Sequence, residues 1–191
     1  MSEPSRPVLP PEIDAGLRAH HEGLDAFLRH AKALSALQWE TPRAPGKWTP
    51  AQETAHLALA YGAFAAAMRG GPPLKLRLPE ARALELQRTV LPRILEGQGF
   101  PAGAKAPAES RPPDRPGDQD LLLSQLSVAG HAFASASVEA WLAAPDGRVV
   151  HPYFGPLRLT DLLQLLSAHL QHHARYLPPL SGPPAGSSSW T

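Results

Sequence analysis

TDLLQLLSAHLQHHARYL, residues 160–177, is the segment on which the prediction of the fold depends. Apolar and histidine side chains recur in it at spacings of three and four residues, which is typical of an amphipathic helix. Thr160 is the predicted N-cap of this helix, and Pro178-Pro179 ends it. The predicted buried face consists of Leu162, Leu165, Leu166, His169, His173 and Tyr176.

Three other stretches repeat this helical periodicity. The first helix is predicted over residues 12–38 and the third over residues 119–143. The second begins at Thr49, where Thr49-Pro50-Ala51-Gln52 forms a capping box with proline at the first helical position, and it runs to Met68. The sequence therefore predicts an all-α protein with four long helices.

The connections between these helices predict a particular bundle topology. Two of them are short, whereas about 50 residues separate helices two and three. This segment contains a helical piece over 79–96, interrupted at Pro92, and a proline-rich irregular stretch over 97–119. Because so long a crossover need not reverse the chain, we expect a four-helix bundle with the order up-down-down-up.

The length and composition are those of one globular domain. The 191 residues are 43% hydrophobic, which suits a single core. We predict a disordered N-terminal arm over 1–11, the bundle over 12–177, and a disordered low-complexity tail over 178–191. Residues 149–150 could pair briefly as a strand after the turn at 145–147.

Several classes of protein are disfavoured by what the chain lacks. It has no cysteine, which excludes disulfides, zinc–thiolate sites and a cysteine nucleophile. No apolar run approaches ~18 residues, so we expect no membrane association. The N-terminus lacks the features of a signal peptide, which makes the cytoplasm the expected compartment. A net charge of +1 without a concentrated basic face gives no reason to expect a nucleic-acid partner.

Three of the nine histidines form a candidate metal site. His169 and His173 are one helical turn apart on the predicted buried face, a spacing at which two imidazoles can bind one ion. His56 faces inward on helix two, ~10 Å from its start, while His173 and His169 lie ~6 and ~12 Å from the end of helix four. The three rings reach one level if helices two and four are antiparallel. The alternative is that they are hydrogen-bonded core histidines.

The combined motifs resemble the DinB-like (DinB/YfiT) superfamily of four-helix-bundle metalloproteins. The resemblance depends on residues 47–52, KWTPAQ, which lead to His56, and on residues 151–157, HPYFGPL, which lead to the His169/His173 pair. Residues 100–107 also resemble a connector found in one subgroup. Together these motifs cover most of residues 12–177.

The resemblance implies a site in which His56, His169 and His173 bind nickel, zinc or manganese, and it implies a homodimer. Characterised members use low-molecular-weight thiols such as bacillithiol, mycothiol or glutathione. This implies a metal-dependent S-transferase acting on a small molecule in stress or detoxification, with the thiol as co-substrate.

Two alternatives remain open at the level of sequence. Three imidazoles leave an open coordination position, at which a metal could activate water for hydrolysis as well as a thiol for transfer. The bundle could also be non-catalytic, with a metal that only stabilises it and a surface that binds a partner. No catalytic acid or base is evident from the sequence.

The remaining candidates receive structural rather than functional interpretations. His21 is predicted to face inward, as a core residue rather than as a partner of the ligands, and His151 to anchor its loop by a hydrogen bond rather than to line the mouth of the site. Trp48 and Phe154 are expected to pack the bundle end and could wall the pocket. Solvent exposure is predicted for His20, His30 and His131, and His172 is expected to face solvent or a loop. Glu53 and Asp161 are near the ligands in sequence, but their faces do not identify either as a partner of the ligands.

Overall fold

The computed structural model describes residues 9–101, 103 and 105–180. In this part of the chain there are seven α-helices, one 3₁₀ turn and a two-stranded sheet. The helices are α1 (Pro11–Lys32), α2 (Ala36–Glu40), α3 (Pro50–Met68), α4 (Glu80–Thr89), α5 (Leu91–Leu95), α6 (Gln119–Ala143) and α7 (Leu159–Ala174). The strands are β1 (Arg148–His151) and β2 (Gly155–Arg158), and the 3₁₀ turn is Ala108–Ser110.

Helices α1 and α7 run in the same direction. Gly16 of α1 lies against Leu163 of α7, and Gly23, one and a half to two turns later, lies against Leu170. Residue numbers therefore increase together along the two helices, so the pair is parallel.

Helices α3 and α6 both run opposite to that pair. Glu53 and Tyr61 of α3 contact His173 and Leu166 of α7, so the numbers increase on one helix as they decrease on the other. In α6, Asp120 pairs with Lys32 of α1, and Gly130 receives a hydrogen bond from His20. The predicted up-down-down-up four-helix bundle is thereby confirmed.

Residues 69–118 form the predicted crossover between α3 and α6. Helices α4 and α5 lie within it, and the break between them falls at Val90, two residues before the predicted interruption at Pro92. Pro92 occupies the first turn of α5, where its missing N–H has no helical partner to lose. The 3₁₀ turn at Ala108–Ser110 packs against α3.

Two predicted helix boundaries differ from the structure. The first helix ends at Lys32, and Ser35 starts the separate helix α2 through a capping box with Gln38. The last helix begins at Leu159 with Arg158, rather than Thr160, as its N-cap. The second difference arises because strand β2 continues directly into α7. The Thr49 capping box at the start of α3 is confirmed.

The short strand predicted at 149–150 exists as part of an antiparallel hairpin. Val149 lies opposite Leu157, and His151 lies opposite Gly155. Gly155 has a φ of 70°, a left-handed conformation that glycine adopts without a steric penalty. The hairpin packs against α4 and α7, so it covers one end of the bundle core.

Helix α6 is the one described helix that is long and apolar enough to span a membrane by length and composition. Its buried residues, which include Leu126 and Phe133, belong to the bundle core, and it packs against α1 and α3. The core helix of a bundle has this pattern.

The predicted terminal segments are only partly described. Residues 1–8 and 181–191, to which disorder was assigned, lie outside the described residues. The helical chain begins one residue earlier than predicted, at Pro11. At the other end, the carbonyl groups of Pro178 and Pro179 lie within hydrogen-bond distance of His30 and Gln38, so this stretch is attached to α1 and α2.

Candidate metal centre

The structure brings together the three predicted ligands His56, His169 and His173. His56 comes from α3, and the other two stand one turn apart on the antiparallel helix α7. The His169 Nε2 atom lies 3.1 Å from His56 Nε2 and 2.9 Å from His173 Nε2. One nitrogen from each ring falls within 4.8 Å of the others, so the convergence expected from the helix geometry is present.

Hydrogen bonds fix the proton positions on two of these rings. His56 Nδ1 lies 2.6 Å from the Ser110 carbonyl oxygen, which can only accept, so Nδ1 carries the proton. His173 Nδ1 lies 2.5 Å from a carboxyl oxygen of Glu53 and donates to it when Glu53 is ionised. The Nε2 atoms of both rings therefore present lone pairs toward His169.

This arrangement fits a bound cation better than an unliganded core. His169 Nε2 can carry at most one proton, so it cannot donate to both of the nitrogens that face it. A metal at the centre would accept all three lone pairs. Zinc–nitrogen bonds of ~2.0–2.1 Å at tetrahedral angles place the nitrogens ~3.3 Å apart, close to the separations found here. The residues present therefore fit a divalent ion held by three imidazoles.

The electrostatics of the site favour the ligand form of each histidine. Burial lowers the pKa of His56, and it lowers the pKa values of His169 and His173 well below their usual range. The neighbouring imidazoles lower the last two pKa values further. The rings are consequently neutral near neutral pH, and neutral imidazole is the species that binds metal.

Glu53 is a partner of the site that the sequence did not identify. It is 3% exposed, and burial raises its pKa to about 7, against the opposing effects of Arg43 and His56. Its bond to His173 Nδ1 is the carboxylate–histidine contact that orients a ligand ring. The sequence did contain a signal for this role of Glu53, because Glu53 precedes His56 by three residues and the two therefore share a helix face.

Ser110 and Phe100 were also missed, and both belong to the crossover. Ser110 orients His56 through its backbone carbonyl, which no side-chain pattern could reveal. The Phe100 ring lies 5.5 Å from that of His169 and 5.0 Å from that of His172. The long connection thus contributes to the site as well as joining two helices.

Trp48 forms part of the wall, as expected. Its ring lies 5.0 Å from that of His56 and is stacked on His173 at 6.3 Å. His56 and His173 are 4% and 6% exposed, whereas His169 is half-buried, so the site opens on the side of His169. Phe154 packs elsewhere, 4.9 Å from His151.

Two histidine predictions on α1 are reversed. His21, expected to face inward, is exposed, and His20, expected to be solvated, is completely buried with its Nε2 atom 3.0 Å from the Gly130 carbonyl oxygen. Adjacent residues differ by about 100° around a helix, and both positions fit the apolar spacing of α1. The contact with α6 determines that His20, and not His21, is the buried residue. His30 is half-buried rather than solvated.

The other predictions for single residues are mostly confirmed. His151 Nδ1 accepts hydrogen bonds from the backbone N–H groups of Tyr153 and Phe154, so it anchors its loop. His131 is exposed, and His172 faces Phe100 of the crossover. Asp161 pairs with Arg158 and has no contact with the three histidines.

Comparison with known proteins supports the family that the motifs resemble. No curated protein matches the chain. A solved structure does: YfiT from Bacillus subtilis, described as a probable metal-dependent hydrolase with an unusual four-helix bundle topology. The match has a TM-score of 0.55 and 17% identity, and it covers 92% of this chain and 89% of that one. It supports the fold. The pattern of the DinB superfamily matches residues 19–177, and the chain belongs to that superfamily.

Proposed function

We propose that this protein is a divalent-metal-dependent enzyme that transfers a low-molecular-weight thiol to a small electrophile. The thiol loses its S–H proton, its sulfur forms a bond to a carbon of the electrophile, and the leaving group on that carbon departs with the electrons of the broken bond. The observation that carries the proposal is the convergence of three imidazole nitrogens, two of them on buried rings whose lone pairs are directed toward one point. Sites with three protein ligands and an open position are typical of catalytic rather than structural metals. His169, the half-buried ligand, marks the side from which a small molecule can approach.

The chemistry of the surrounding residues favours a thiol over water as the nucleophile. A bound divalent ion would supply Lewis acidity, which lowers the pKa of water and deprotonates a coordinating thiol outright. Among the described residues, no carboxylate joins the cluster of converging nitrogens. Glu53 is already engaged by His173 and so is not free as a general base. A thiol needs no such base, because binding to the metal is enough to remove its proton.

The walls of the site suit a reaction that excludes water. Trp48 covers the buried pair His56 and His173, and Phe100 lies against His169. Aromatic side chains here provide an apolar surface for an organic electrophile. The chain has no cysteine, so the sulfur has to come from a separate small thiol.

A second candidate function is hydrolysis, which is the activity suggested for YfiT by its description. It requires the same three histidines, with water at the open position. A third possibility is a bundle in which the metal has a purely structural role. The cytoplasm, a homodimer and a role in stress or detoxification remain predictions that follow from the sequence and the resemblance.

The test is a transferase assay on untagged protein loaded with zinc, nickel or manganese. Bacillithiol, mycothiol, glutathione and coenzyme A are each supplied with a chlorinated dinitrobenzene as acceptor. We expect product only when metal and one of these thiols are both present. His173→Ala should reduce the rate to that of the uncatalysed reaction, whereas His131→Ala, which changes an exposed histidine, should leave it unchanged.

A parallel assay with 4-nitrophenyl acetate and no thiol separates the alternatives. Metal-dependent ester cleavage that His173→Ala abolishes, without any thiol transfer, would replace the transferase by a hydrolase. If neither reaction exceeds the His173→Ala rate while metal still raises the melting temperature, the structural role would be correct.

A further inference from the structure

A groove adjoins the histidine site at the carboxyl end of α7. Its volume is about 380 Å³, within the range of small-molecule sites. Its walls come from α2 and the segment after it on one side, and from the segment that follows α7 on the other. Its lining residues are Leu37, Gln38, Thr41, Pro42, Arg43, Tyr176 and Pro178.

Tyr176 connects this groove to the metal centre. Its ring lines the groove, and its hydroxyl lies 3.0 Å from His172 Nε2. The same ring lies 6.2 Å from that of His173. A molecule in the groove would therefore be separated from the proposed ligands by a single side chain.

Arg43 provides a positive charge in the groove. Its guanidinium carbon stands 3.3 Å from the centre of the Tyr176 ring, so the group is stacked on the aromatic face. Among the described residues Arg43 is in no ion pair with a carboxylate. Stacking fixes the guanidinium plane and leaves its edge N–H groups free, and this edge matches a carboxylate.

A second arginine lies close to the groove. Arg175 directly precedes Tyr176, which lines the groove, and its side chain is exposed. Like Arg43, Arg175 lies in no ion pair among the residues that the structure describes.

Beside this charge lies an apolar surface. Leu37 is 79% exposed, and Pro42 and Pro178 extend the apolar surface that it forms. An apolar floor with a single fixed cation is complementary to a small organic anion that has an apolar body.

We propose that this groove binds the carboxylate-bearing part of the small-molecule substrate, with Arg43 holding the carboxylate. The inference rests on the proposed function, because it assumes that the reacting atoms lie at the histidine site next to the groove. Arg43 is here a binding residue, and its charge selects anionic over neutral compounds of the same shape.

The test measures binding rather than turnover, so that it does not depend on the reaction. Benzoate, phenyl phosphate and the neutral isostere benzamide are titrated into zinc-loaded and chelator-treated full-length protein by calorimetry. We expect benzoate to bind both forms and benzamide to bind at least about tenfold more weakly, since a charge-assisted hydrogen bond is lost. Tighter binding of phenyl phosphate than of benzoate would make the ligand group a phosphate and would overturn the carboxylate assignment.

Variants then assign the anion to Arg43. Arg43→Gln should weaken benzoate binding about tenfold, and Arg43→Lys should weaken it less. Arg88→Gln, which changes an exposed arginine on α4, is the matched control and should bind like the wild type. Equal affinities in wild type and Arg43→Gln, or benzoate binding only to the zinc-loaded form, would overturn the inference. A failed transferase assay with intact benzoate binding would reject only the proposed reaction.

Discussion

His20 and His173 are both buried histidines, 0% and 6% exposed, yet their surroundings differ in kind. His20 donates from Nε2 to the Gly130 carbonyl, its Nδ1 has no hydrogen-bond partner among the described residues, and aromatic rings surround it. His173 has a carboxylate on one nitrogen and a second imidazole nitrogen facing the other. Burial alone therefore does not make a metal ligand. A site that can hold a metal also needs lone pairs that converge on one point, as those near His173 do.

The largest expected effect is that of metal on stability. Because the ligands come from two helices, zinc should bind the folded chain and not the unfolded one. At a free concentration a thousand times Kd this adds about 4 kcal/mol, or a rise in Tm of about 8–16 °C. Calorimetry of chelator-treated and zinc-loaded protein measures it. His169→Ala should abolish the rise and His21→Ala should preserve it; an equal rise in both variants would contradict a site at the three histidines.

A somewhat smaller effect is expected from removing the core histidine. His20→Ala leaves a cavity and an unpaired Gly130 carbonyl, which should lower the free energy of unfolding by about 3 kcal/mol. Denaturant titration of the metal-free protein provides the measurement. The adjacent exposed residue supplies the control, since His21→Ala should change stability by less than about 0.5 kcal/mol. If the His20→Ala and His21→Ala variants were equally stable, the assignment of His20 to the core would be wrong.

The carboxylate behind His173 should affect metal affinity more than folding. Glu53→Gln keeps the shape of the side chain but removes its charge, and we expect zinc affinity to fall about 10–100-fold, or about 1.4–2.7 kcal/mol. Competition with a chromophoric chelator gives the affinity. Glu22→Gln, on the exposed face of α1, should have no effect. Unchanged affinity in Glu53→Gln would show that the Glu53–His173 contact does not serve the metal.

The smallest effect expected is the pH dependence that His20 contributes. Burial lowers its pKa from 6.5 to about 4, against the opposing hydrogen bond to Gly130. The unfolded chain therefore binds a proton that the folded chain excludes, so the contribution of His20 is complete above pH 6.5 and is lost as the pH falls toward 4. From pH 7.5 to 5.5 the loss is about 1.4 kcal/mol. His20→Gln should show a correspondingly flatter stability profile; parallel profiles would contradict the lowered pKa.

The bundle could be predicted because most of its signals are local. The capping box at Thr49 and the stripe of α7 act within a few turns of helix, and both appear in the structure. The convergence of His56, His169 and His173 was predictable for the same reason, since helix rise fixes the depth of each ring once helix directions are assumed. The three rings lie at the same depth in the bundle only if α3 and α7 are antiparallel, and the structure shows that they are.

The wrong predictions of burial concern two neighbouring residues that fit the periodicity of their helix equally well. His20 and His21 both continue the stripe of α1, and the difference is made by α6. A Cβ atom at Gly130 would stand 2.5 Å from the end of the Leu24 side chain, so glycine leaves room for α1 to approach α6 where the Gly130 carbonyl meets His20. Nothing within α1 carries that information.

By itself the sequence determined which segments become helices, which imidazoles can share an ion, and that any thiol sulfur must come from outside the chain. These are consequences of periodicity, spacing and composition. The completion of the site depends on tertiary contacts. The Ser110 carbonyl and the Phe100 ring come from the crossover, and their contacts depend on packing between distant segments, which no local pattern specifies. Glu53 shares a helix face with His56, but its partner His173 lies 120 residues away on another helix, so only the packing of α3 against α7 pairs the two.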